Sequence, residues 1–282
     1  MVSTWVPSTL PPKLMQRGGN PTVLGRELLG IIGDAIANQP RSLQRKIGPS
    51  EIGHPCPRRL GYKLLGAPDF NTRQGVPWKP FIGTCVHTEL GNIFDRNNLA
   101  YSAQVSPGDE RWYVEHKVGS VGQVGPDEID GSCDLYDRVT CTVIDWKIVG
   151  PAPLKSYRAS GPGMQYHSQA HLYGRGWHRH WGLPVDTVMI AFLPRNDELD
   201  KAHIWWEPYD ERVALDALAR VNAIHTATTA LGIDAIKQLP TADAYCYRCP
   251  YYNPDSSGPR HGCPGHAPQS LPKPPLTLEG KS

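Results

Sequence analysis

Two strand-like segments carry the residues best suited to chemistry, Gly131-Ser132-Cys133-Asp134 and Ile144-Asp145-Trp146-Lys147. In an extended chain Asp145 and Lys147 stand two apart and face the same side. Asp134, on the strand before, can come alongside. Asp145 lies within VTCTVIDWKIV, and a carboxylate in such apolar company is expensive unless it is paired or bound to a metal. Two carboxylates suit Mg2+ or Mn2+, hard cations that take oxygen ligands. Such an ion polarises a phosphoryl oxygen and acidifies a bound water, while an adjacent ammonium orients that water or offsets developing negative charge. The plainer alternative is an Asp145–Lys147 ion pair with no ligand. His87 shares a helical stripe with Leu90 and Phe94, either as a neutral imidazole ligand or as an ordinary core histidine. Gln169 and Tyr173, four apart, share a helix face and offer an amide and a phenol.

The thiols form a second group. Cys246 and Cys249 make a C-x-x-C, Cys263 follows after thirteen residues, and Cys56 stands alone in His54-Pro55-Cys56-Pro57. Four thiolates suit zinc or an iron–sulfur cluster, with His54, His261 and His266 competing for the fourth place. A redox C-x-x-C is the rival, without the βαβ setting it needs and with Pro250 leading into loop. Cys85, Cys133 and Cys141 fall in predicted helix or strand and are expected to be buried and inert. His167 and His171, four apart, suggest a zinc hydrolase, but the helix lacks the Glu of H-E-x-x-H.

The elements that must position these residues follow from periodicity. Helices are predicted over Val23–Ala37 (apolar stripe Leu24, Leu28, Ile31, Ile32, Ile36), Phe81–Asn97, Met164–His180 and Asp210–Gly232. Strands are predicted at Arg111–Val118, Glu128–Tyr136, Thr140–Val149 and Val185–Leu193, with Ala202–Tyr209 pairing the last. The Pro/Gly stretch 150–163 reads as a separator, and 38–49 and 67–80 as loops. Together these predict an α/β (mixed α+β) fold, a small mixed sheet flanked by helices with a helical N-terminal addition and a C-terminal Cys-rich loop. The expected divisions are a flexible arm 1–20, an N-terminal helical region 21–80, a core 81–238, a Cys-rich segment 239–266 and a disordered tail 267–282.

Composition narrows the class. With 28 prolines among 282 residues, about twice average usage, an all-helical bundle is disfavoured. No apolar run approaches the ~18 residues of a membrane span, and the first twenty residues lack the apolar core of a secretory signal, so a cytoplasmic protein without membrane partners is expected. A net charge of +2 rules out a strongly basic nucleic-acid coat. That small total conceals a basic strip at 40–63, six cations against one anion, and an acidic stretch at 101–145, nine anions against three cations. The first can hold phosphates and the second divalent cations.

Taken in order, Cys56, His87 in GTCVHTEL, Asp134 in GSCD, Asp145 and Lys147 in IDWK, Gln169 and Tyr173 in QAHLY, and Cys246, Cys249 and Cys263 resemble the motifs of RecB-like nucleases of the PD-(D/E)XK superfamily. The resemblance covers about Ser50–Cys263 and is to the iron–sulfur branch, which includes small CRISPR-adaptation exonucleases and phage-encoded relatives. It implies a restriction-endonuclease-like core and a metal-dependent DNA exonuclease acting on single-stranded DNA. His87, Asp134, Asp145 and the Trp146 carbonyl would hold Mg2+ or Mn2+. Lys147 would be the catalytic lysine, with Gln169 and Tyr173 completing the site. A [4Fe–4S] cluster would sit on the four named cysteines, although the thirteen-residue gap is longer than usual for the family. Arg58, Arg59 and Arg248, the last among Tyr245, Tyr247, Tyr251 and Tyr252, would contact DNA by charge and stacking, or the tyrosines would pack the loop. A bacterial cytoplasm, with recombination, replication or CRISPR-adaptation proteins as partners, completes the expectation. The alternative is a non-catalytic DNA-binding or assembly module with structural zinc or iron–sulfur.

Overall fold

The structure is a computed structural model and describes residues 21–38, 46–71, 75–102 and 110–266. The arm and tail expected at 1–20 and 267–282 lie outside the described residues. At the centre is a five-stranded mixed sheet, β1 (Trp112–Val124), β2 (Asp127–Asp137), β3 (Thr142–Val149), β4 (Thr187–Pro194) and β5 (His203–Pro208), in sequential order. Only β3 and β4 run parallel, and the chain between them makes the crossover that parallel pairing requires.

That crossover contains two helices, α5 (Pro151–Ser160) and α6 (Gly163–Trp181). The separator predicted at 150–163 is thus mostly helix. Pro151 and Pro153 stand in its first turn, where the missing N–H groups have no intrahelical partner to lose. The first helix, α1 (Pro21–Ala37), has the predicted extent, yet of its apolar stripe only Ile36 is buried. Two short helices, α2 (Pro49–Ile52) and α3 (Pro57–Leu64), precede α4 (Trp78–Ser102), which begins three residues before the predicted Phe81. The last long helix is α7 (Glu211–Leu231), whose N-cap Asp210 accepts from Arg212 N–H at 2.8 Å.

Helices cover both faces of the sheet. On one, α6 and α7 enclose the main core, where Trp177, Leu172 and Val221 meet Val118, Tyr136 and Val143. On the other, Leu90 and Phe94 of α4 pack on Leu135 and Trp146. Gly176 allows α6 to lie directly on β1, because a Cβ there would come within 2.9 Å of the Val118 carbonyl oxygen. No described helix is long and apolar enough to cross a membrane.

Two features of the pairing prepare the site. The β2–β3 ladder ends at Leu135–Ile144, one residue short of Asp134 and Asp145. Beyond that point β2 stays with β1, β3 stays with β4, and the sheet forks. The β1–β2 ladder also changes register twice, between Lys117 and Gly119 and between Ser120 and Gly122, with Gly119 at φ 66° and Gly122 at φ 150°. Bulges of this kind use glycine for the left-handed step.

Candidate functional site

The fork opens into a cleft of about 1400 Å3 bounded by α4, β1, β2, β3 and α6. Asp134, Asp145, Lys147, His87, Gln169 and Tyr173 all line it. Asp134 Oδ1 lies 3.3 Å from His87 Nδ1, and its Oδ2 accepts from the Trp146 backbone N–H at 2.9 Å. Trp146, expected to offer its carbonyl, donates that N–H, and its ring is buried against Phe94. Gly131 leaves room for Tyr173, since a Cβ there would touch its ring at 3.0 Å.

Asp145 is 3% exposed. One carboxylate oxygen pairs with the Lys147 ammonium, and Gln169 Nε2 donates to the other at 3.3 Å. Burial raises the Asp145 pKa to about 6; Lys147 opposes the rise and Asp134 adds to it. Lys147 also lies over the Tyr166 ring, 5.0 Å from its centroid, which fixes the ammonium from a second side. Gln169 Nε2 donates as well to Tyr173 Oη at 2.8 Å, while Gln169 Oε1 has no partner among the described residues. The Tyr173 phenol is held well above its ordinary pKa by burial, then by the Asp145 charge, so it stays protonated with its O–H free to donate. These groups fit a divalent cation: carboxylate oxygens, an imidazole within reach and an amide oxygen still open.

Glu115, which sequence reasoning passed over, belongs to the same place. One ligand atom each from His87, Glu115 and Asp134 lie within 4.8 Å of one another. Asp145 is turned instead to Lys147 and Gln169. A second such group is His167, His171 and Glu207. There both imidazole Nε2 atoms meet Glu207 Oε1, at 2.5 and 2.6 Å, and Asp210 N–H donates to His171 Nδ1 at 3.1 Å. The proton of neutral His171 therefore sits on Nε2 and faces the carboxylate. Burial lowers the pKa of this ring, which keeps it neutral.

The cysteines converge separately. Cys56, Cys246, Cys249 and Cys263 line one small cavity together with Arg59, Tyr62 and Tyr251. None is in a disulfide. Cys56 caps α3, Cys246 opens a single 3-10 turn, and Cys263 pairs with Tyr252 in an isolated bridge. Tyr62 Oη donates to the carbonyls of Pro259 and Gly262, and Asn71 Nδ2 to those of Tyr247 and Cys249, which ties the C-terminal lobe to the N-terminal helices. Burial raises the Cys249 thiol to about 11, against the pull of Arg59. His54 is no longer a competing ligand: Cys56 N–H donates to its Nδ1 and Arg59 faces its Nε2, both at 3.1 Å, and burial lowers its pKa to about 3. His261 meets Ser257 and His266 meets Thr241; neither histidine lines the cavity, although Thr241 does. Four thiols from three segments, with a guanidinium beside them, fit a thiolate-bound cluster or metal.

Arg58 donates to the Leu239 carbonyl at 3.0 Å, and neither Arg58 nor Arg59 lines the cleft. They brace the cysteine lobe. Arg248 is exposed over the Tyr247 ring, Tyr245 is exposed, Tyr247 is half-buried, and Tyr251 and Tyr252 are buried, so two of the four tyrosines pack the loop. Among the other thiols Cys133 is buried as expected, but Cys85 is exposed and Cys141 half-buried. Helical periodicity places Cys85 off the Leu90–Phe94 face.

No protein-family model matches the chain, and no curated protein matches it. A solved structure described as "Crystal structure of SSO0001" aligns with 81% of this chain and 94% of that chain, at 16% identity and a TM-score of 0.37. At those values the likeness carries no argument about activity.

Proposed function

We propose that this chain is a divalent-metal-dependent deoxyribonuclease of the RecB-like PD-(D/E)XK kind, an exonuclease on single-stranded DNA with a structural [4Fe–4S] cluster. The observation that supports it most is the fork, which gathers two buried aspartates, a lysine, a histidine and a Gln–Tyr pair around one open cleft. Asp134 and Asp145, with His87 alongside, would hold Mg2+ or Mn2+, which supplies Lewis acidity and a more acidic water. Lys147, fixed by Asp145 and Tyr166, presents its positive charge to a phosphodiester in the cleft and orients the attacking water. Gln169 donates to both Asp145 and the Tyr173 hydroxyl, which holds the carboxylate and the phenol together. Arg248 with Tyr245 and Tyr247 offers an exposed surface for stacking on unpaired bases.

End-labelled single- and double-stranded DNA, with and without Mn2+, tests the reading on the wild type and Lys147→Ala. Expected is Mn2+-dependent loss of terminal nucleotides from the single strand, abolished in the variant. Unchanged DNA bound by the wild type would favour a binding module instead. The cluster is read from the protein's colour: anaerobically purified material should be brown with broad absorbance near ~400 nm. Colourless protein carrying stoichiometric zinc would replace the cluster with a zinc site.

A further inference from the structure

Glu115 lies in β1 between two regular pairs, Val114–Leu135 and His116–Cys133, and so stands directly across from Asp134. Carboxylates directly opposite each other on antiparallel strands repel. Its backbone is also left-handed, at φ 49°, which is uncommon for a residue with a Cβ. His87 closes the triangle from α4, with ligand atoms of the three residues all within 4.8 Å of one another. Asp134 can serve two neighbours, because Oδ1 faces His87 while Oδ2 is held at Trp146 N–H on the β3 side. An independent observation comes from α6. Gln169 is 4% exposed, lines the same cleft and keeps Oε1 unpartnered among the described residues. A buried amide oxygen left unpartnered in the wall of a cleft lined by carboxylates suits a cation or its bound water.

We propose that Glu115 is a metal ligand. With His87 and Asp134 it would hold a divalent cation, next to the ion that Asp134 and Asp145 would hold between them. Two carboxylates and one imidazole suit Mn2+ best and Mg2+ next. In phosphodiester hydrolysis paired divalent ions stabilise both the attacking and the leaving oxygen. The assignment deepens the nuclease reading and takes its chemical purpose from it.

The test is calorimetric titration of the full-length, metal-stripped protein with Mn2+ alone, on the wild type, Glu115→Gln and Glu115→Gly. The glycine variant accepts the left-handed backbone without strain and guards against a folding artefact. Expected is uptake of two Mn2+ per chain by the wild type and one by each variant. Saturating Mn2+ should raise the melting temperature of Glu115→Gln less than that of the wild type. Wild-type stoichiometry in both variants, or a single ion in the wild type that both variants retain, overturns the assignment. The two readings fail separately. Two ions falling to one without any DNA cleavage leaves this site and removes the nuclease, whereas Mn2+-dependent cleavage with unchanged stoichiometry does the reverse.

Discussion

The β2–β3 hairpin holds buried aspartates at both ends, and the two ends treat them in opposite ways. At the turn, Asp137 receives two donors from Arg111, at 2.9 and 3.0 Å, the Thr140 hydroxyl at 2.8 Å and the Val139 N–H at 3.1 Å. At the fork, Asp134 and Asp145 stand beside Glu115 and beside each other, with fewer protein donors than their oxygens can accept. Burial acts on both ends, and its outcome differs. Burial alone would raise Asp137, but the Arg111, Thr140 and Val139 donors hold it below the usual carboxylate range. Asp145 is left raised. The turn carboxylate is given its full set of donors, whereas those at the fork are left short of them.

Lys147→Ala breaks the contrast most severely. It should abolish cleavage, a loss of several orders of magnitude, in a protein that still folds. Unfolding of this variant would mean that the fork is as structural as the turn. Asp137→Asn should do the converse, lowering stability by about 3 kcal/mol in denaturant titration because the Arg111 guanidinium loses its buried partner. Nuclease activity below the unfolding midpoint should persist.

The pH dependence sharpens the second prediction. Asp137 has a folded pKa below its unfolded value, so its contribution is fully present above about pH 4 and is lost as pH falls through the folded value. The stability gap between wild type and Asp137→Asn should close below about pH 4. A gap constant down to pH 2 would show that Asp137 contributes shape and not charge. The smallest effect is at the fork. Asp134→Asn removes the middle carboxylate of the row, keeps an acceptor for Trp146 N–H, and should stabilise the metal-free protein by up to about 1 kcal/mol. Clear destabilisation would show that the His87–Asp134 contact outweighs the repulsion.

Much of this was legible in the chain because motif spacing survives folding. Asp145 and Lys147 share a face at a separation of two, Gln169 and Tyr173 at four, and the four cysteines meet in one cavity. Glu115 was not legible. Counting back from the Gly125-Pro126 turn sets it against Tyr136, and only the two glycine bulges slide β1 along until it meets Asp134. Residues 150–163 were misread because proline in a first helical turn looks, in one dimension, like a break. A charge count also does not show that Arg58 and Arg59 are tied to the Leu239 carbonyl and to His54.

The cysteine cavity also carries a consequence for synthesis. Cys56 emerges early, while its partners lie at 246–263, about 200 residues later. At translation rates of about 10 residues per second that interval is roughly 20 s. Throughout it the sheet can form and α6 can settle on β1, but α3 lacks the segment that covers Tyr62 and supplies the carbonyl for Arg58. The thiol of Cys56 is exposed to oxidants and stray metals for that interval. The sheet core is thus built before the lobe that seals it, and the cysteine cavity is the last part of the fold to be completed.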